Sequence, residues 1–430
     1  MSASNERIPA VDRRSHSRLA ELGLEYRLVD ASSDADLDGF LHADARGFLD
    51  DDPTQASLAQ QREHMRDRRN VGVYDPSAGA WPVATVNSWV TPLTVPGGEV
   101  DMWAISSVTV AGTHRRRGIA RNLLEGELRA AADAGIAVAG LTVSEATIYG
   151  RYGFASAIPV ARLTIETPQA GWAGAPVPGR LLYTDKPMLV DELDRLHDEA
   201  RRLRSGQIAG WRGRWLRSAG LAEGDRSAAA VRGVRYVDAE GVVRGAMAFT
   251  LSEVSGTFRS ELKIRALITT TDEALRALWQ FVIQHDLVLR AHVDLRPVDD
   301  PLPWLVADQR AVKAEVHDHG WLRILDVPAA LTSRTYAAPA DAVIRVDDPL
   351  GLAGGSWRIA VDESGAASVE RDDAAPDLEL GIAELSAIYA GGVPLTRLAS
   401  AGRVRGDAET VAAVSRAFLA DPAPTLGIWY

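Results

Sequence analysis

The stretch ISSVTVAGTHRRRGIA (105–120), followed by a helical segment, a short apolar run and SEATIYGRYGF (144–154), decides how this chain reads. Ser107-Val108-Thr109-Val110 is a β-branched run suited to a strand. Beyond the turn, Ile119, Leu123, Leu124 and Leu128 recur at helical spacing, with Ala131 and Ala132 continuing the stripe toward Gly135. Between strand and helix stand Arg115-Arg116-Arg117-Gly118. A glycine in the first turn of a helix lets a ligand approach the backbone. The unpaired N–H groups there, at the positive end of the helix dipole, suit an anion such as a pyrophosphate. The same arginines read as a solvated surface leave the glycine and the strand context unexplained.

Arg-x-x-Gly-x-Ala at a strand-to-helix junction resembles the acyl-CoA pyrophosphate loop of the GNAT N-acetyltransferases. Tyr149-Gly150-Arg151-Tyr152-Gly153-Phe154 resembles that family's second signature, a tyrosine four residues before a Gly-Phe pair. VTVAGTHRRRGIAR and SEATIYGRYGF together are similar to the Eis-type (enhanced intracellular survival) branch. Gly112 stands where many such loops carry proline, and Ala120 where many carry glycine; alanine still permits close approach.

The 430 residues are enough for two to four domains, and 46% hydrophobic residues are enough for substantial cores. With no cysteine, disulfides, thiolate metal sites and a cysteine nucleophile are excluded. The net charge of -11 and the lack of a basic stripe argue against nucleic acid as a partner. No apolar run is long enough to span a bilayer, and residues 1–20 lack a signal-peptide core, so a cytoplasmic location is expected.

Residues 1–20 read as a flexible leader. A strand at 24–29, helices at 34–48 and 54–68, and a hairpin of 71–74 with 81–90 then lead into the loop strand, giving a first domain at 21–165. Pro168, Gly171, Gly174, Pro176, Pro178 and Gly179 mark a linker. The plan then repeats over 166–320: a hairpin of 228–237 with 241–251, a strand at 262–269 and a helix at 272–285 capped by Asp272. Here the strand meets the helix through Thr269-Thr270-Thr271-Asp272, without glycine or arginine, so no cofactor is expected. From 321 to 430 short strands (342–346, 357–361, 366–369, 378–380) precede helices (382–390, 407–419), the pattern of a small α+β domain. The expected fold is therefore α/β (α+β). The resemblance implies tandem GNAT-like domains, with only the first loaded, followed by a sterol-carrier-like C-terminal domain.

Acetyl transfer from a thioester to an amine requires the cofactor to be held, the carbonyl polarised, the ammonium deprotonated and the thiolate reprotonated. The resemblance assigns acetyl-CoA to Arg116, Arg117, Gly118, Ile119, Ala120 and Arg121. It gives the pantetheine arm to the backbone of Val108, Thr109 and Val110, with the Val110 N–H on the thioester oxygen, and places Ser144 and Glu145 across the gap. Tyr149 is the candidate general acid, since a phenol with pKa about 10 is protonated at neutral pH; Tyr152 and Phe154 read as core. The chain ends Leu426-Gly427-Ile428-Trp429-Tyr430, the composition of a docked terminus where most fray. The family likeness makes the Tyr430 α-carboxylate the proton acceptor. His317-Asp318-His319 has a spacing zinc accepts but no further ligands at motif spacing, so no metal is expected. Asp50, Asp51 and Asp52 are either a cation-holding entrance or a solvated turn.

The sequence thus predicts an acetyl-CoA-dependent N-acetyltransferase working by direct transfer in a ternary complex. Its substrates would be amines of small polycationic molecules, such as the aminoglycosides to which the resemblance points. The alternatives are a protein lysine N-acetyltransferase, a non-catalytic acyl-CoA or lipid-binding protein, or an acyl-CoA-responsive regulator. The family likeness also implies a homohexamer.

Overall fold

The computed structural model describes residues 9–430 and divides into two compact units. One comprises residues up to 157, 320–420 and Tyr430; the other comprises 158–319 and 421–429. The part of the leader that falls on residues 1–8 lies outside the described residues.

The first unit opens with α1 (Arg13–Ala20), where a flexible leader was expected. Asp12 caps it by accepting from Ser15 N at 2.7 Å, and Leu19 is fully buried. Ser15 Oγ donates to Asn122 O, and Asp12 receives Arg129, so a polar-looking segment is docked by hydrogen bonds together with the burial of Leu19. Then come β1 (Glu25–Leu28), α2 (Asp34–Phe48), α3 (Gln55–Met65), β2 (Arg69–Tyr74), β3 (Ala84–Val95), β4 (Gly98–Val110), α4 (Ile119–Asp133), β5 (Val138–Thr142) and α5 (Ala146–Tyr149). Ser33 caps α2 and Thr54 caps α3, which is why both begin where the sequence puts them.

The second unit takes in β6 (Ala155–Glu166), α6 (Thr167–Ala170), β7 (Arg180–Thr184), α7 (Lys186–Ala200), α8 (Arg212–Ser218), β8 (Val231–Val237), β9 (Val243–Glu253), β10 (Ser260–Thr269), α9 (Asp272–Ile283) and β11 (Val288–Arg296). The chain then enters β12 (Val312–Ile324) and continues through α10 (Val327–Thr332), β13 (Ala340–Asp347), β14 (Gly355–Val361), β15 (Ala367–Arg371), β16 (Leu378–Gly381), α11 (Ile382–Ile388), α12 (Leu395–Ser400), β17 (Val404–Gly406) and α13 (Ala408–Phe418).

In the first unit the strand order is β1-β2-β3-β4-β5-β12, and in the second it is β6-β11-β10-β9-β8-β7. Within each, the hairpin-linked strands are antiparallel, and a single parallel pair, β4 with β5 or β10 with β11, is bridged by a helix. Two expected boundaries fall inside strands. Residues 161–166 of β6 pair with β11, and 320–324 of β12 pair with β5, so Trp321 completes a sheet rather than opening a new region. Both boundaries lie within long strands, of 12 and 13 residues, whose sheet partners are far away in the chain, so a linear reading does not show the crossings. A separate five-stranded sheet, β15-β14-β13-β16-β17, carries α11 to α13 and forms the expected α+β region.

Buried charges fix the first unit. Glu127 of α4 is fully buried and accepts from Arg69 Nε at 3.1 Å, Ser88 Oγ at 2.6 Å and Trp103 Nε1 at 3.3 Å, so one carboxylate ties the helix to β2, β3 and β4. Arg323 on β12 donates to Tyr152 O at 2.8 Å and to both oxygens of buried Asp348 at 2.7 and 2.8 Å. Asp348 also accepts the N–H groups of Leu350, Leu352 and Ala353. That network fastens the Tyr149–Phe154 segment to the C-terminal α+β region.

Breaking a buried pair by removing one partner strands the other, at a cost of about 3–5 kcal/mol. Glu127→Ala is therefore expected to lower the unfolding free energy by about that amount, measured by urea titration followed through tryptophan fluorescence. A loss within about 0.5 kcal/mol, the level of an ordinary surface change, contradicts this role.

Candidate active site

Two backbone features set the site. The first is a bulge in β4. Thr109 faces Thr85 and Ser106 faces Asn87, so two residues of β4, Ser107 and Val108, stand opposite Val86 alone. Ser107 takes a left-handed φ of 53°, unusual for a side chain with a Cβ, and Thr85 Oγ1 donates to its carbonyl at 2.8 Å. The second is a divergence. The parallel β4–β5 ladder ends at Ile105 opposite Leu141, and residues 106–110 run on without β5 beside them. A gap opens between two parallel strands, edged by Val108, Thr109 and Val110. The half-buried side chains of Val108 and Val110 pack on the α4 core; Thr109 is buried against Gly47 of α2.

α4 begins at the end of this gap. Gly118 is its N-cap residue at φ 78° and offers no side chain to cap the first turn. A Cβ on Gly118 would meet only Asn122 Nδ2, at 4.0 Å, so the space over the helix mouth is open. Arg116 also has a left-handed φ, 64°. The first-turn amides of Ile119, Ala120 and Arg121 thus face outward beside the exposed Arg115, Arg116 and Arg117, an arrangement that favours an oxyanion. His114 is not part of it: its Nε2 bonds Asp75 at 3.0 Å and its Nδ1 bonds Thr113 at 2.8 Å.

Past β5, Ser144 and Glu145 are exposed, and Glu145 occupies the N-cap position of α5. Tyr149 at the end of α5 is 7% exposed and edges onto Phe154 at 6.2 Å. Burial, with the neighbouring Glu145 and Tyr152 adding to it, pushes its phenol up to about 12, so it holds its proton throughout the neutral range.

The terminal residue belongs to the same unit. Thr142 Oγ1, on the last residue of β5, donates at 2.6 Å to the C-terminal oxygen of Tyr430, which sets the α-carboxylate where β4 and β5 part. The ring lies along β5 and meets Trp89 edge-on at 5.6 Å. A Cβ at Gly140 would run into Met102 Sδ and come 3.0 Å from the Tyr430 hydroxyl, so glycine here leaves room for both side chains. Burial raises the phenol of Tyr430. In the second unit, residues 421–429 are held by Thr425 N on Ser205 O, Gly427 N on Gln207 Oε1 and His319 Nε2 on Ile428 O at 2.9 Å. His319 is thus committed to the tail and, by burial, lowered to about 4. No metal-sized cluster of His, Cys, Asp and Glu occurs among the described residues.

One group at the bulge escaped the sequence reading. Asp44 on α2 is raised to about 7, chiefly by burial, against a hydrogen bond from Ser107 and with Asp50 adding to it; its Oδ1 has no partner. Nothing marks Asp44 in the chain except its place on α2 three residues before Gly47, the residue that lets the helix touch Thr109. Asp50, Asp51 and Asp52 are exposed in the segment that follows.

Comparison with known proteins agrees with this geometry. Residues 28–157 match an acetyltransferase (GNAT) domain family, residues 206–324 a second acetyltransferase (GNAT) domain family, and residues 327–427 a sterol carrier protein domain family. An uncharacterized N-acetyltransferase of Streptomyces avermitilis is 34% identical over 402 residues, covering 90% of this chain and 94% of the relative. N-acetyltransferase Eis of Mycobacterium tuberculosis is 32% identical over 347 residues, covering 76% of this chain and 81% of the relative. Among solved structures, Eis1 from Mycobacterium abscessus superposes with a TM-score of 0.80 at 28% identity, over 95% of this chain and 100% of that one. A GCN5-related N-acetyltransferase from Anabaena variabilis shares the fold, at a TM-score of 0.78 and 18% identity, over the same 95% of this chain and all of its own. Sharing two GNAT domains, a sterol-carrier region and a third of its sequence with these enzymes, the chain belongs to the Eis-like family of GNAT N-acetyltransferases.

Proposed function

We propose that this N-acetyltransferase uses acetyl-CoA as co-substrate and acetylates amines of small polycationic molecules, aminoglycosides among them, by direct transfer in a ternary complex. The observation that carries the reading is the uncapped, glycine-opened mouth of α4 at one end of the strand gap, with the chain's own carboxylate bound to Thr142 at the other. The co-substrate supplies the thioester. Arg116, Arg117 and Arg121, with the amides of Gly118, Ile119 and Ala120, hold the diphosphate; the residues fit, because among the described residues no side chain caps the helix mouth. The backbone of Val108, Thr109 and Val110 lies free of β5 and orients the pantetheine arm, the Val110 N–H serving the carbonyl oxygen. Ser144 and Glu145 line the opposite edge.

Tyr149 keeps its proton at neutral pH and offers its O–H to the departing sulfur. The Tyr430 carboxylate, fixed by the Thr142 hydroxyl, accepts the proton of the attacking ammonium. Support for a cationic acceptor comes from the net charge of -11 and the exposed Asp50, Asp51 and Asp52. A cytoplasmic homohexamer, and the division into a cofactor-loaded domain, an unloaded second domain and a sterol-carrier-like third domain that ends at the active site, belong to the same proposal. No described helix is long and apolar enough to cross a membrane.

The test is steady-state release of free thiol from acetyl-CoA with a panel of polyamines, aminoglycosides and lysine peptides. Turnover on lysine peptides alone, or cofactor binding without thiol release, overturns the polyamine reading. Tyr149→Phe is expected to cut kcat by about 10²-fold at unchanged KM for acetyl-CoA, the share typical of one proton-transfer group. A kcat within about threefold of wild type removes Tyr149 from that role. Appending Gly-Ser after Tyr430 replaces the carboxylate by an amide. It should lower kcat by about 10²-fold or more while leaving the melting temperature in place. Full activity in that variant excludes the terminal base.

A further inference from the structure

The second unit contains a cavity of about 650 Å³, a volume suited to a metabolite-sized ligand. Its place in the fold is telling. The β10–β11 ladder ends at Lys263 opposite His292, and the cavity is lined by the stretch of β10 beyond that point together with the stretch of β11 from Val293 onward. β10 carries a register shift between Ile264 and Ala266, leaving Arg265 as the extra residue, just as β4 carries one at Ser107. The cavity is therefore the second unit's counterpart of the β4–β5 gap.

Its chemistry is different. Thr271 Oγ1 accepts from Ala274 N at 3.2 Å and so caps α9, and Asp272 and Glu273 stand in the first turn, which closes that helix mouth to a phosphate. Here too the sequence reading is corrected, since the cap is Thr271 rather than Asp272. Cationic groups come instead from the walls. Arg265 is paired with Asp225 at 2.6 Å, Arg296 with Asp300 at 2.7 Å, and Lys263 reaches Asp294 at 3.9 Å. Arg214 of α8 also lines the cavity, and it has no such partner among the described residues; its Nε is buried and makes no hydrogen bond. Burial, followed by the neighbouring Arg217 and Arg265, lowers its guanidinium to about 10, which still leaves it charged at neutral pH. A half-buried arginine whose sealed Nε is unused and whose charged neighbours are Arg217 and Arg265 lacks, among the described residues, the carboxylate or phosphate that its planar fork fits. Leu267, Leu275, Val293 and Trp429 give the same cavity an apolar wall.

We propose that the β10–β11 cavity is a ligand site for a small organic anion, whose carboxylate or phosphate group sits on Arg214. An acidic enzyme thus carries, in the half that lacks the phosphate loop, a binding site of opposite preference to its cationic acceptor. The inference does not rest on the proposed acetyl transfer.

Isothermal titration calorimetry on the full chain tests it with citrate, inorganic phosphate and AMP as probes. At least one is expected to bind with Kd below about 1 mM. Binding of citrate alone assigns a carboxylate, and binding of phosphate or AMP assigns a phosphate. Arg214→Met should weaken the binding by about tenfold or more, and Arg214→Lys should retain part of it. Without ligand, Arg214→Met should melt at or above the wild-type temperature, because an unpaired buried cation is removed. Three results each overturn the proposal: no probe bound at millimolar concentration, equal affinity in Arg214→Met, or a lowered melting temperature in that variant, which makes the arginine a structural support.

Discussion

The parting of β4 from β5 beyond Ile105 and Leu141 is the constraint on which the rest of the first unit depends. Parallel strands left to themselves continue their ladder, and unpaired backbone groups at a buried edge are costly. Here the bulge at Ser107 re-aims β4, and the strain of a left-handed serine is held from several sides. Thr85 bonds its carbonyl, Asp44 takes its hydroxyl, and Gly47 lets α2 close against Thr109. Strained backbone that persists inside so many fixed contacts is typical of positions where a ligand must be met. The gap it creates receives the Tyr430 carboxylate on Thr142 and leads to the open mouth of α4.

Two buried carboxylates keep this arrangement rigid. Glu127 fixes α4 to three strands of the sheet, so the direction of the helix mouth is set by a hydrogen-bonded charge as well as by the packing of Leu123, Leu124 and Leu128. Asp348, through Arg323, fixes the backbone at Tyr152 and hence the short helix that carries Tyr149. Both pairs are costly to desolvate, and an apolar replacement of equal volume would cost no more. What the charges add is direction: a guanidinium with several fixed acceptors admits one orientation, whereas a leucine contact admits many.

Much of this was legible in the chain, because the loop and its flanks are local. Gly118, the arginines and the Ile119–Leu128 stripe have to sit together for a helix mouth to hold an anion, and that requirement is written in consecutive residues. α2 and α3 are readable for the same reason, through Ser33 and Thr54. Long-range pairings are not. Trp321 belongs to a strand that joins β5 nearly two hundred residues earlier in the chain, and α1 looks like a solvated leader until Asn122 and Arg129 supply its partners. Asp44 is an ordinary helical aspartate in sequence; only burial against the bulge makes it a titrating group. Arg214 is likewise one arginine of many until its lack of a carboxylate partner among the described residues becomes visible.

The two halves repeat one plan, hairpin, bulged strand, helix and parallel strand, and differ at the residue that opens or closes the helix. Gly118 leaves the first mouth bare; Thr271 caps the second. On that contrast rests the proposal that the first gap is a coenzyme site, and it is tested most directly by titrating coenzyme A into the full chain and into Gly118→Val by calorimetry. A β-branched side chain at φ 78° both strains the turn and fills the space over the amides. The account predicts that wild type binds and that the variant, still folded by circular dichroism, binds about 30-fold more weakly or not at all. Equal affinity in the two proteins contradicts it.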